Sequence, residues 1–157
     1  MATNLNARPA SLDWLLLLTR LLVAFVVGMH GVQKLFGWFG GYGFDASMQF
    51  FTEAIGLTYA LGVLIILAET VGMVALAIGV ASRVFSVSVV VIMLGAIFSL
   101  HLPNGFYMDW DGVIAGEGYE FHLVLIGLTL PVILLGGGRF SLNNQLLGQS
   151  RFVRFLD

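Results

Sequence analysis

No cysteine occurs among the 157 residues. That absence excludes disulfides, thiol–disulfide relay chemistry, cysteine-ligated iron–sulfur clusters and covalent c-type haem on this chain. Any redox chemistry here would need a bound cofactor or a partner subunit. Charge is scarce as well: Asp, Glu, Lys and Arg make up 10% of the residues against 59% hydrophobic ones, and the net charge is −2. A soluble domain of this length needs far more charge to wet its surface. With no basic cluster to grip phosphates, the composition argues against a nucleic-acid partner.

What is present is apolar sequence in long runs, with a mean hydropathy of +0.96. Four segments, over residues 12–36, 57–80, 84–102 and 119–136, each come near the roughly 20 residues that cross ~30 Å of hydrocarbon. Glycine-rich or Pro-Asn-Gly breaks at Gly37, Pro103 and Gly136 close the first, third and fourth. The reading is an all-α, four-helix transmembrane bundle forming a single domain over 1–157, with a tail at 139–157. The first segment is too long for a signal peptide, carries Arg20 and has no small-residue cleavage pattern after it, so it reads as an anchor.

Basic residues set the orientation. Arg8, Arg83, Arg139, Arg151 and Arg154 fall on one side of the four segments, while Asp45, Glu53, Asp109, Asp111, Glu117 and Glu120 fall on the other. The arginine side is therefore expected in the cytoplasm, together with both termini. The opposite loops are rich in aromatics, among them Trp38, Phe39, Tyr42, Phe50, Phe51, Tyr107 and Trp110. Such rings suit a headgroup-level belt; the sharper alternative is a lid of short interfacial helices over an outer site. A faint repeat relates the two halves: His30 and His101 sit near the outer ends of segments one and three. The phrases around Arg83 and Arg139 also resemble one another.

Ionisable side chains in hydrocarbon are costly and usually face a partner inside the bundle. Arg20 and Glu69 both fall ~12 Å from the inner surface when counted at ~1.5 Å per residue, which predicts a buried Arg20–Glu69 ion pair. Asp13, Arg20, His30, Gly31 and Lys34 share one face of the first helix within about 100°. On the second, Thr58, Gly62, Glu69, Gly72 and Gly79 share another, with glycines that permit close approach. At the outer end His30, Lys34, His101, Glu120 and His122 reach similar heights. His30 and His101 stand alone on their helices, and Glu120 and His122 are two apart, so only one of that pair should face inward. The spacing argues for no metal site. His30, Lys34, His101 and Glu120 better suit an anion or a quinone headgroup. No catalytic residue can be named.

These residues also carry a resemblance. Arg20, the stretch Gly28-Met29-His30-Gly31-Val32-Gln33-Lys34-Leu35-Phe36-Gly37, then Glu69, Gly72, Gly79 and Arg83 form one ordered set. His101-Leu102-Pro103-Asn104-Gly105-Phe106, Gly118-Tyr119-Glu120 and Gly136-Gly137-Gly138-Arg139-Phe140-Ser141-Leu142 continue it. The set, over residues 12–142, resembles the DoxX family of small four-span membrane proteins, related to the DoxD subunit of thiosulfate:quinone oxidoreductase. The resemblance implies a bacterial or archaeal cytoplasmic (inner) membrane protein and a role as a subunit of a quinone-linked oxidoreductase, with quinone as the ligand. A non-enzymatic scaffold or anchor for a redox or stress-response partner is the alternative. A small-molecule transporter is weaker, since four short spans without evident helix breaks would need to oligomerise to form a pathway. A redox partner subunit and a homo-oligomer are both compatible with the sequence.

Overall fold

The computed structural model describes residues 8–113 and 116–147. Arg151, Arg154 and the end of the expected tail lie outside the described residues. Among the described residues six α-helices carry the fold: α1 (Ala10–Phe36), α2 (Gly43–Gln49), α3 (Tyr59–Glu69), α4 (Val71–Ile78), α5 (Ser82–Ala96) and α6 (Glu120–Leu135). Turns of π-helix extend α2 through Phe50–Ala54 and α5 through Ile97–His101. Among the described residues, three helical stretches are long and apolar enough to cross a bilayer, Ala10–Phe36, Tyr59–Ile78 and Ser82–Asn104. The fourth apolar helix, α6, has 16 residues; at ~1.5 Å per residue it is ~24 Å long, shorter than a full ~30 Å hydrocarbon core.

Each helix presents an apolar face in both directions. Inward, Leu16, Val23, Ala24 and Val27 of α1 meet Met73 and Leu76 of α4, Val89 and Met93 of α5, and Leu125 and Val132 of α6 in one core. Outward, Leu18 and Phe25, Leu64 and Val74, Val91 and Phe98, and Val124 and Leu134 stand exposed. A water-soluble protein does not expose apolar surface on this scale, whereas lipid tails solvate it. The helices pack in a closed square: α1 lies against α3–α4 and α6, and α5 lies against α6 and α3–α4.

The second long stretch is interrupted. Thr70 leaves the helical region (φ −110°, ψ −83°) between α3 and α4. Its hydroxyl donates to the Ile66 carbonyl at 2.7 Å, satisfying a group that the break would otherwise strand. The sequence reading saw no broken span, because no proline or glycine marks position 70.

The connection after α1 folds rather than loops freely. Met48 and Phe51 of α2 and its extension pack on Ile66 of α3 as a second small core. Gly62 makes room for them, since a Cβ there would sit 2.8 Å from the Met48 methyl carbon. Trp38, Phe39 and Tyr42 remain exposed beside it.

Candidate functional site

The site begins with a close helix contact. A Cβ on Gly31 of α1 would overlap the carbonyl oxygen of Glu69, so glycine lets the end of α3 press against α1. That approach brings the Lys34 ammonium to 2.5 Å from the Glu69 carboxylate. Glu69 is almost fully buried and Lys34 is partly exposed. The cation of Glu69 is therefore Lys34, where Arg20 was expected.

The reason is register. Gly31 faces Glu69, whereas Gly79 faces Arg20. Eleven residues along α1, at ~1.5 Å each, put the two positions ~16 Å apart. The depth count failed because α1 is longer than the bilayer core and its first turns run past the end of α4. There Arg20, fully buried, donates through Nη1 to the carbonyls of Leu76 and Ala77, both at 3.2 Å. These belong to the last turn of α4, where the i→i+4 ladder ends (Leu76 keeps a bond from the Gly79 N–H) and the helix dipole is negative. Arg8 and Arg83 do the same for α6, donating to Leu135 at 3.0 Å and to Leu134 at 3.4 Å.

On the Lys34 side of the bundle, two histidines come together. His101, at the end of the π-helical turn that extends α5, and His122, in the first turn of α6, have ring centroids 4.2 Å apart and planes inclined by 46°. The His101 Nδ1–H donates to the Glu117 carbonyl at 2.8 Å. In the neutral ring this leaves the lone pair on Nε2. His122 is 9% exposed, and its Nδ1 is buried without a hydrogen-bond partner. Leaving such a nitrogen unpaired costs about 1–3 kcal/mol. His30 lies within electrostatic range of Lys34, Glu69 and His122, but its side chain is exposed, whereas the helical wheel placed it inside. It sits about 60° round from Val27 and about 100° from Gly31, at the edge of the buried stripe.

Glu120 has loop contacts that the sequence did not announce. Its carboxylate accepts the Met108 N–H at 3.3 Å, while its own N–H donates to the Phe106 carbonyl at 2.9 Å. Asn104 donates to the Glu117 carbonyl at 3.0 Å, and Glu117 accepts the Asp109 N–H at 2.7 Å. Glu120 thus clasps the connection between α5 and α6, and His122 is the member of the pair that turns inward. A two-residue separation announced that only one of them would do so. It did not say which, because the choice depends on where the first turn of α6 meets α5. Among the described residues no group of three or more His, Asp or Glu side chains is placed to hold a metal ion.

The arrangement gathers one ion pair and three imidazoles at a single end of the bundle. It can donate hydrogen bonds to, or accept them from, a small polar headgroup entering from the lipid side. Compared with known proteins, the family model for DoxX matches residues 15–102, more than half of the chain. No curated protein and no solved structure matches.

Proposed function

This chain belongs to the DoxX family, and from that premise we propose that it is a subunit of a quinone-linked membrane oxidoreductase, binding quinone at the histidine end. Four spans, α1, α3–α4, α5 and α6, cross the cytoplasmic (inner) membrane of a bacterium or archaeon, with both termini in the cytoplasm. What supports the orientation is the gathering of Arg8, Arg83 and Arg139 around the end of α6 and the start of α1. What carries the ligand reading is the convergence of His101, His122 and the Lys34–Glu69 pair beside exposed His30. Polar side chains at that depth are retained in membrane proteins chiefly for function. A quinone headgroup presents two carbonyls to such donors while its isoprenoid tail stays among the lipid-facing side chains.

Equilibrium binding of a short-chain quinone analogue to the detergent-solubilised protein tests the reading. His30→Ala, Lys34→Ala and His101→Ala are each expected to weaken binding roughly tenfold, the loss of one hydrogen bond in a dry site. Absence of saturable binding to the intact chain, or three variants that bind as well as it does, would overturn it. A scaffold for a redox partner is the second reading, favoured by the way Lys34–Glu69 and the arginine caps join helix to helix. Co-purifying subunits without extractable quinone would make that reading the stronger one.

A further inference from the structure

Among the buried side-chain polar atoms that the described residues place at the histidine end, Nδ1 of His122 is without a hydrogen-bond partner. Lys34 has Glu69, His101 has the Glu117 carbonyl and Glu120 has the Met108 N–H. The buried Nδ1 of His122 has no partner. An unpaired buried nitrogen is uncommon and calls for an occupant. The ring is held by its contact with His101, whose own tautomer is set by Glu117. His122 is also within electrostatic range of His30, which stands at the exposed edge of α1, the side from which a lipid-dissolved ligand would arrive.

We propose that His122 is the inner anchor of the ligand headgroup, its Nδ1 hydrogen-bonding one ring oxygen of a quinone or hydroquinone. The assignment rests on the quinone reading above and adds to it a residue and a division of labour. Neutral imidazole serves both oxidation states of such a ring: as Nδ1–H it donates to a carbonyl, and as a bare nitrogen it accepts from a phenolic hydroxyl. The proposal leaves Glu120 outside the ligand shell, since its Oε2 already accepts the Met108 N–H of the loop.

A decyl-substituted benzoquinone titrated into the solubilised protein, with His122→Phe, His122→Asn and Glu120→Gln alongside, provides the test. Phenylalanine keeps the ring against His101 but removes the nitrogen; asparagine restores an amide group near the Nδ1 position. His122→Phe is expected to weaken binding about tenfold, His122→Asn to stay within about threefold of the intact chain, and Glu120→Gln to leave affinity unchanged. If His122→Phe binds as tightly as the intact protein while His30, Lys34 and His101 variants lose affinity, the anchor assignment is wrong and the quinone reading survives. If the intact protein does not bind at all, both fall. Should His122→Phe not fold, nitrogen-15 spectra of histidine-labelled intact protein decide the matter. Addition of the benzoquinone must move the His122 Nδ1 resonance, and an unmoved resonance at saturation overturns the proposal.

Discussion

Lys34 and Glu69 meet at 2.5 Å at the point where the second long helix breaks. Glu69 is the last residue of α3, so its carboxylate sits at the negative end of a helix dipole as well as in a dry interior. One cation, Lys34, faces it there. Gly31 makes the meeting feasible, because any side chain there would hold the end of α3 away from α1.

Removing Lys34 alone is expected to be costly. Lys34→Met leaves Glu69 buried and uncompensated, with a loss on the order of 3–5 kcal/mol. Adding Glu69→Leu should recover much of that loss, giving a strongly non-additive cycle in thermal unfolding in detergent. The parallel cycle of Arg20→Met with Glu69→Leu should be additive within about 0.5 kcal/mol, since the two sites lie too far apart to interact. The reverse pattern of coupling would place Glu69 with Arg20.

Gly31→Ala tests the close approach. The added methyl overlaps a backbone carbonyl, which cannot swing aside as a side-chain tip can, so a loss of about 1–3 kcal/mol or more follows. Gly127→Ala in α6 is the control: a Cβ there meets nothing within 4 Å. It is expected to be neutral or slightly stabilising, because alanine favours the helix by up to ~1 kcal/mol. Equal melting shifts for the two variants would show that Gly31 is not a packing requirement.

The helices were legible because hydropathy reports burial in lipid over 20 residues at a time. The expected limits of 12–36 and 119–136 differ by a residue or two from Ala10–Phe36 and Glu120–Leu135. Helix partners were harder to read. Arg20 and Glu69 have matching counted depths, yet α1 overhangs α4, and an arginine can be satisfied by helix-end carbonyls that no side-chain inventory reveals. Glu120 and His122 differ by two positions on one turn, and the loop hydrogen bonds of Glu120 run to backbone groups, the Met108 N–H and the Phe106 carbonyl, that no side-chain pattern reveals. The break at Thr70 left no trace in composition, because a threonine hydroxyl bonded to the preceding turn is compatible with a continuous helix too.

The connection between α5 and α6 should loosen independently of the bundle. Glu120→Ala strands the Met108 N–H, and Asn104→Ala removes a donor to the Glu117 carbonyl that also holds His101. Amide exchange over residues 105–113 is expected to quicken roughly five- to tenfold in either variant, as a loss of ~1 kcal/mol of local stability requires. Exchange within Ser82–Ala96 should stay unchanged. Acceleration across both regions would mean that the clasp supports the whole bundle.

Arginines at the other end of the bundle are expected to separate into two kinds. Arg20 is fully buried and caps α4, so Arg20→Met removes the side-chain donor to the Leu76 and Ala77 carbonyls and leaves Leu76 with only the Gly79 N–H. The expected cost is about 2–4 kcal/mol. Arg20→Lys should recover little of it, since a single ammonium on a different stem does not reproduce the planar fork. Arg83 reaches Leu134 at a longer 3.4 Å and is only partly buried, so Arg83→Met should cost about 0–1 kcal/mol. Its contribution should instead appear in topology, which the cysteine-free chain makes simple to read with single introduced thiols. Arg139→Cys is expected to be shielded from an impermeant reagent added outside intact cells, and Asp111→Cys to be labelled. Replacing Arg8 and Arg83 together should raise the fraction of inverted molecules without lowering the melting temperature as far as Arg20→Met does. A large melting loss from Arg83→Met, with Arg20→Met tolerated, would reverse the assignment of which arginine holds the fold and which orients it.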